Sequence, residues 1–256
     1  MTAPIPREIP DLPPVPGVPV LMPSHVPASA VMAPAHRPLV ATYRLLIALA
    51  AAAAIAVEVA LGSPTRVLSH FAVQSNILLA VVLALSARRA FSARRALPAG
   101  VTGAALLYVA IGGFVFHMLL ADASTPYTMT SDADLHTVWQ SVAEQVLCTA
   151  TPIAAALDWL LLTTPGRMRL RQASTWLLYP MAYLAFSFTR GELIDPGTPG
   201  RYLYPFLDVD LHGYKSVLAN SLLLGLAFYA LAVLLVAVDH TRPGPLRGRG
   251  KTGFRL

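Results

Sequence analysis

Apolar residues in this chain fall in long blocks rather than in the alternating or one-faced patterns of soluble proteins. Six stretches stand out, near 39–61, 68–87, 98–121, 137–162, 173–190 and 215–238. At 1.5 Å rise per residue, a hydrocarbon layer about 30 Å thick needs about 20 helical residues, and all but the fifth stretch reach that length. A soluble bundle would carry a polar face along each span, and these blocks carry none. The pattern predicts an all-α fold, a six-helix transmembrane bundle over 39–240. The fifth stretch lies between Arg171 and Arg190 and contains Pro180. It is expected to be kinked, or to have flanking arginines that reach back to the interface.

The flanks read differently. Met1–Pro38 holds 11 of the 22 prolines. Proline removes backbone donors and blocks both helix and sheet, so residues 1–38 are expected to form a disordered proline-rich tail. An early basic stretch followed at once by an apolar core, the mark of a signal peptide, is not found there. Residues 241–256 form a short basic tail.

Composition supports the membrane reading: 55% of residues are apolar and 12% charged, against roughly 25% charged in ordinary soluble domains. The net charge of +6 sits in short connections beside apolar spans, where it acts as a topology signal rather than a nucleic-acid surface. Counted by connection, 15 of the 19 lysines and arginines lie on one side. They occupy 87–97, 163–172, the two tails and, as Arg44, the start of the first span. That side is the cytoplasm by the positive-inside rule. Both termini are therefore expected inside a cell membrane, with 122–136 and 191–214 outside. The excess of arginine over lysine, with abundant alanine, suggests a GC-rich bacterial genome. Cys148 is the single cysteine, so no intramolecular disulfide forms.

Orientation gives each intramembrane polar residue a depth. Glu58 lies near the outer end of the first span, and His70, Gln74, Ser75 and Asn76 lie in the outer half of the second. His117 is close to the outer end of the third. Gln140, Glu144, Cys148 and Thr151 follow 4, 4 and 3 spacing, which puts them on one face of the fourth. Arg190 and Glu192 close the fifth, and Asn220 and Ser221 enter the sixth. A polar group from every span thus reaches one leaflet. A carboxylate in mid-bilayer costs roughly 2.5–3.5 kcal/mol on insertion scales, so Glu144 needs a partner, with His70, His117 and Arg190 as the available donors. Each of these residues also has a plainer reading, as interfacial anchor, interhelical glue or, for Cys148, a small buried hydrophobe. Asp158 reads as an anchor at the inner interface.

Other chemistries are weak. There is no phosphate-binding glycine loop and no H-E-x-x-H. Asp132, Asp134 and His136 on one loop are poor evidence for metal. His70 and His117 alone do not make a haem site. No cofactor or metal is expected.

Four segments carry a resemblance: His70–Leu78 (HFAVQSNIL), Ala155–Leu161 (AALDWLL), Leu178–Gly191 (LYPMAYLAFSFTRG) and Tyr204–Tyr214 (YPFLDVDLHGY), with Asn220 beyond. In order and spacing, over roughly 40–240, they resemble the bacterial Pr-six-Pr integral membrane proteins. That family is distantly similar to the androgen-induced membrane hydrolases, six-helix proteins that cleave fatty-acid esters of hydroxy fatty acids with an intramembrane threonine and histidine. The resemblance places the threonine near Ala72 and the histidine at Cys148, so neither catalytic side chain is present at its expected position.

Three functions follow. The first is a lipid-ester hydrolase relative that has lost the threonine and histidine, with Ser75 or Cys148 as a displaced nucleophile and His70 or His117 as base. The second is a small-molecule or lipid binding or transport protein, whose outer-leaflet pocket is built from Glu144, Gln74, Asn76, Arg190, Glu58 and Asn220. The third is a membrane scaffold without chemistry. The expected partners are the lipid bilayer and a lipid or small polar ligand at the outer leaflet, and no nucleic acid.

Overall fold

Alanine-rich sequence favours helix, and Pro38 at the first turn starts α1, Pro38–Leu61. Gly62 and Pro64 end it, because proline disfavours helical backbone in the residue before it. The computed structural model describes residues 36–120, 129, 137–196, 198 and 200–243. The proline-rich tail, the loop carrying Asp132, Asp134 and His136, and most of the basic C-terminal segment lie outside the described residues.

A short helix, α2 (Pro64–Ser69), follows. The chain then extends at His70 before entering α3, Phe71–Phe91. The second apolar stretch, read from 68, is thus interrupted two residues in. α1 packs chiefly along α3, and the buried residues of the pair include Ala48, Ala51 and Ala54 of α1 and Leu79 and Leu83 of α3. Small residues let the two backbones approach closely, which is how helices associate in lipid.

α4 (Ala99–Leu120) and α5 (Val138–Leu162) meet at one tight point. Pro152 has no N–H to offer the Cys148 carbonyl one turn earlier, and a π-helical turn over Val146–Ala150 absorbs the mismatch. The Cys148 carbonyl faces Gly113 of α4. A Cβ added at Gly113 would stand 2.8 Å from that oxygen, whereas one at Gly112 would meet Ala72 and Ser75 at an ordinary 3.7 Å.

The fifth apolar stretch is two helices, α6 (Leu170–Trp176) and α7 (Leu178–Leu193), broken at Leu177. Pro180 explains the break, since its ring clashes with the Trp176 carbonyl and leaves it without a donor. Neither piece is long enough to cross a membrane alone. Among the described residues five helices are long and apolar enough to cross, α1, α3, α4, α5 and α8 (Val209–Thr241). The expected six reduce to five by length. α8 opens on Asp208, whose carboxylate accepts from the Asp210 and Leu211 N–H groups. It kinks at Gly213, where φ is +72°, so its straight part matches the sixth stretch.

Ion pairs bind the arginine-rich end. Arg44 of α1 donates to Asp158 of α5 at 2.7 Å, both nearly buried. At the end of α8, Asp239 accepts from the Arg167 and Met168 N–H groups at 2.8 and 2.9 Å and from Arg242 at 2.7 Å. Arg242 also donates to the Trp159 carbonyl and lies 4.7 Å over the Trp159 ring. Large leucines meanwhile point outward, Leu161 at 70% and Leu223 at 65% exposure. Charges inside and leucines outside suit an apolar solvent. The chain is a multi-pass integral membrane protein.

Candidate functional site

α8 is held to the bundle at its two ends and stands away between them. Its buried residues are Val209 and Val217 near one end and Ala232, Val236 and Asp239 near the other. The space left between α8, α3, α4 and α7 is a cavity of about 540 Å³. Its wall is aliphatic and aromatic: Phe71 and Ala72 from α3, Ile111 and Val115 from α4, Met181 and Leu184 from α7, Leu222 and Phe228 from α8. A Cβ at Gly225, also on this wall, would meet nothing within 4 Å. The volume lies within the range of small-molecule pockets.

Behind the wall lies a buried polar cluster. Asn76 donates from its amide to the Ala72 and Leu147 carbonyls at 2.8 and 2.9 Å and accepts from the Thr151 hydroxyl at 2.6 Å. These bonds tie α3 to the π-helical turn of α5. Ser75 donates to the Ala72 carbonyl at 3.0 Å. Glu144 is buried and accepts from the Met129 N–H at 3.0 Å. Glu58 has no exposure at all, and among the described residues neither of its carboxylate oxygens has a hydrogen-bond partner. It lies within electrostatic reach of Glu144. Cys148 faces both sides, lining the cavity and belonging to an apolar cluster with Ala54, Ala143 and Leu147.

The described residues of 190–210 pack on α2 and the start of α3, and Tyr204 also lines the cavity. Arg190 donates to the Gly200 and Arg201 carbonyls at 3.0 and 2.7 Å. Arg201 reciprocates to the Gly191 carbonyl at 2.7 Å and grips Asp210 through both oxygens. The Asp210 hydrogen bond raises the pKa of the Arg201 guanidinium above its ordinary value. Gly191 is bare because the Tyr202 ring occupies the place of a Cβ. The Tyr204 hydroxyl accepts from the Phe71 N–H at 3.1 Å, satisfying a free donor at the start of α3. Tyr179 donates to Gln74 and Tyr183 to the Ser69 carbonyl, each at 3.0 Å.

No family model matches the chain, and no curated protein or solved structure matches it significantly.

The residues picked out by depth divide into groups. Glu58, His70, Ser75, Asn76, Glu144 and Cys148 are all buried. Gln74 is half-buried under Tyr179. His117 instead points outward, exposed, and shares a 2.9 Å hydrogen bond with Thr149. Asn220 lies exposed on α8 and does not line the cavity. The hydrogen bonds of Arg190 go to the loop backbone rather than to Glu144. His70 pairs through Nδ1 with the Arg66 carbonyl at 2.9 Å. Among the described residues no group of three or more His, Cys, Asp or Glu side chains is arranged to hold a metal.

Sequence reasoning missed Asp239, Arg242 and Arg201. Asp239 sits beside His240 at the end of an apolar block, and Arg201 sits in a loop, so both read as solvated. The signal available for Arg201 was the pattern Arg190-Gly191 followed by Tyr204-Pro205-Phe206, whose members hold one another in this lock.

Proposed function

We propose that this protein binds the acyl chain of a lipid in the cavity beside α8, without hydrolysing it. One observation carries the reading: a cavity of about 540 Å³ with an apolar wall at the depth of the membrane spans. Ala72 and Cys148, the positions at which the Pr-six-Pr resemblance places the hydrolases' threonine and histidine, both lie on that wall. The coincidence supports a shared lipid pocket, and an alanine and a buried thiol in those places favour binding over ester cleavage. The Ser75 hydroxyl, already engaged with the Ala72 carbonyl, points the same way.

The topology that goes with this reading has six crossings and both termini in the cytoplasm. Leu170–Leu193, taken through its break, spans about 36 Å at 1.5 Å per residue, enough for one bent crossing. An even number of crossings returns the chain to its starting side. The basic asymmetry makes that side the cytoplasm.

The test uses the full chain in lipid nanodiscs containing a phospholipid with a photoactivatable diazirine on its acyl chain. Adducts should concentrate on cavity residues of α4, α7 and α8, and Gly225→Phe, which fills open space, should reduce them several-fold. Even labelling of outward leucines such as Leu46, Leu85 and Leu161, unchanged by Gly225→Phe, would overturn the reading. Release of fatty acid from a lipid ester by the unaltered protein would reinstate Ser75 or Cys148 as a nucleophile.

A further inference from the structure

At the other end of the bundle from the acyl cavity, two arginine-bearing connections come together around a second hollow of about 610 Å³. Ala96, Leu97, Pro98 and Ala99 form one side, Gly166, Arg167, Met168 and Arg169 another, and His240 the third. We infer that this hollow binds a phosphate-bearing headgroup, that of an anionic lipid in the adjoining leaflet.

Three features of the hollow converge on an anion. Arg167 and Arg169 line it and are exposed, and Arg94 and Arg95 directly precede the lining at Ala96. Among the described residues none of these four arginines forms an ion pair. Second, α4 begins here. Its Val101 and Thr102 N–H groups turn back to the Pro98 carbonyl, while the Ala99 and Gly100 N–H groups have no helical acceptor by position. The positive end of the helix dipole therefore faces the hollow, as at known anion sites. Third, Asp239, the carboxylate close by, is already enclosed by Arg242 and the Arg167 and Met168 N–H groups. It neutralises Arg242 and leaves the lining arginines unbalanced.

The chemistry of the floor favours a lipid over a small anion. Leu97, Pro98, Ala99 and Met168 are apolar, which suits the glycerol and first methylenes below a headgroup. Basic pockets between spans at the level of the headgroups are where anionic lipids dock. His240 is not a free donor, since its Nε2 shares a 2.9 Å hydrogen bond with the Met168 carbonyl. The phosphate therefore meets the arginines and the start of α4.

The experiment follows the thermal midpoint of the full chain in detergent as phosphatidylglycerol, phosphatidylcholine or inorganic phosphate is titrated in. Phosphatidylglycerol should raise the midpoint saturably and phosphatidylcholine should not. Arg167→Gln/Arg169→Gln should weaken apparent affinity for phosphatidylglycerol on the order of tenfold or more, from the loss of two charges near the surface. Arg88→Gln/Arg171→Gln removes the same charge from residues outside the hollow and should leave affinity within about twofold. An equal shift with inorganic phosphate would keep the site but identify free phosphate as its source. Equal weakening in both double variants would mean general surface charge only and would overturn the proposal, as would the absence of any shift. If the lining double variant does not fold, Arg169→Gln alone is read by the same criteria.

Discussion

Glu58 is the residue whose environment fits its chemistry least. It is fully buried, lacks a hydrogen-bond partner among the described residues and feels the second carboxylate of Glu144. A buried polar group left unsatisfied costs about 1–3 kcal/mol, and replacing it by an apolar group of similar size removes that cost. Glu58→Leu should therefore raise stability by about 1–3 kcal/mol, read as a higher thermal midpoint in detergent. A lower midpoint would show that the carboxylate is needed to hold the fold. At this scale burial was legible in the sequence: Glu58, Ser75, Asn76 and Glu144, expected to face protein, are all buried, and Glu58 lies within electrostatic reach of Glu144. Direction was less so. His117 and Asn220, expected at the same level, are exposed instead, because position along a helix does not say which face meets its neighbours when no polar stripe marks it.

Between elements, the proline and glycine positions matter most. Pro152 frees the Cys148 carbonyl, and Gly113 makes room for it. Gly113→Ala should destabilise by about 1–3 kcal/mol, because its Cβ would press on a backbone oxygen that cannot turn aside. Gly112→Ala, one residue away, meets only ordinary contacts. It should be neutral or stabilising by up to about 1 kcal/mol from helix propensity. Thermal midpoints of the two variants separate these outcomes, and equal losses would contradict the close approach. The helices themselves were legible from apolar runs, as was the disturbance at Pro180. What the run could not give was the partner of each interruption. Pro180 splits α6 from α7, whereas Pro152 sits inside α5 with only a π-helical turn, its freed carbonyl facing the bare Gly113 of α4.

For the whole molecule, the arginine asymmetry makes a prediction independent of any site. A reporter active only outside the cell should be active when fused after Asp132 and silent after Arg95, Arg169 and Arg249. Activity after Arg95 would invert the bundle, and activity after Arg169 would remove a crossing. Membrane residence was legible because hydrophobic blocks are long and local. The cavity was not, since it arises from where α8 fails to touch α3, α4 and α7, and no sequence pattern records a missing contact.

The fastening of Asp239 has a consequence for how the chain is made. Translation delivers 163–168 well before the residue that holds it, because Asp239 accepts from Gly166, Arg167 and Met168 across about seventy positions. At synthesis rates of 5–20 residues per second that is several seconds. During that interval the nascent chain carries a loop with idle backbone donors and an open flank awaiting α8, the state in which a quality-control protease or insertion chaperone would meet it. A chain stopped before Asp239 should keep those donors without that acceptor permanently. Truncation after Ala237 is thus expected to shorten the half-life in cells several-fold, in a pulse-chase measurement, relative to truncation after Pro243. Equal half-lives would show that the 163–168 loop closes without Asp239.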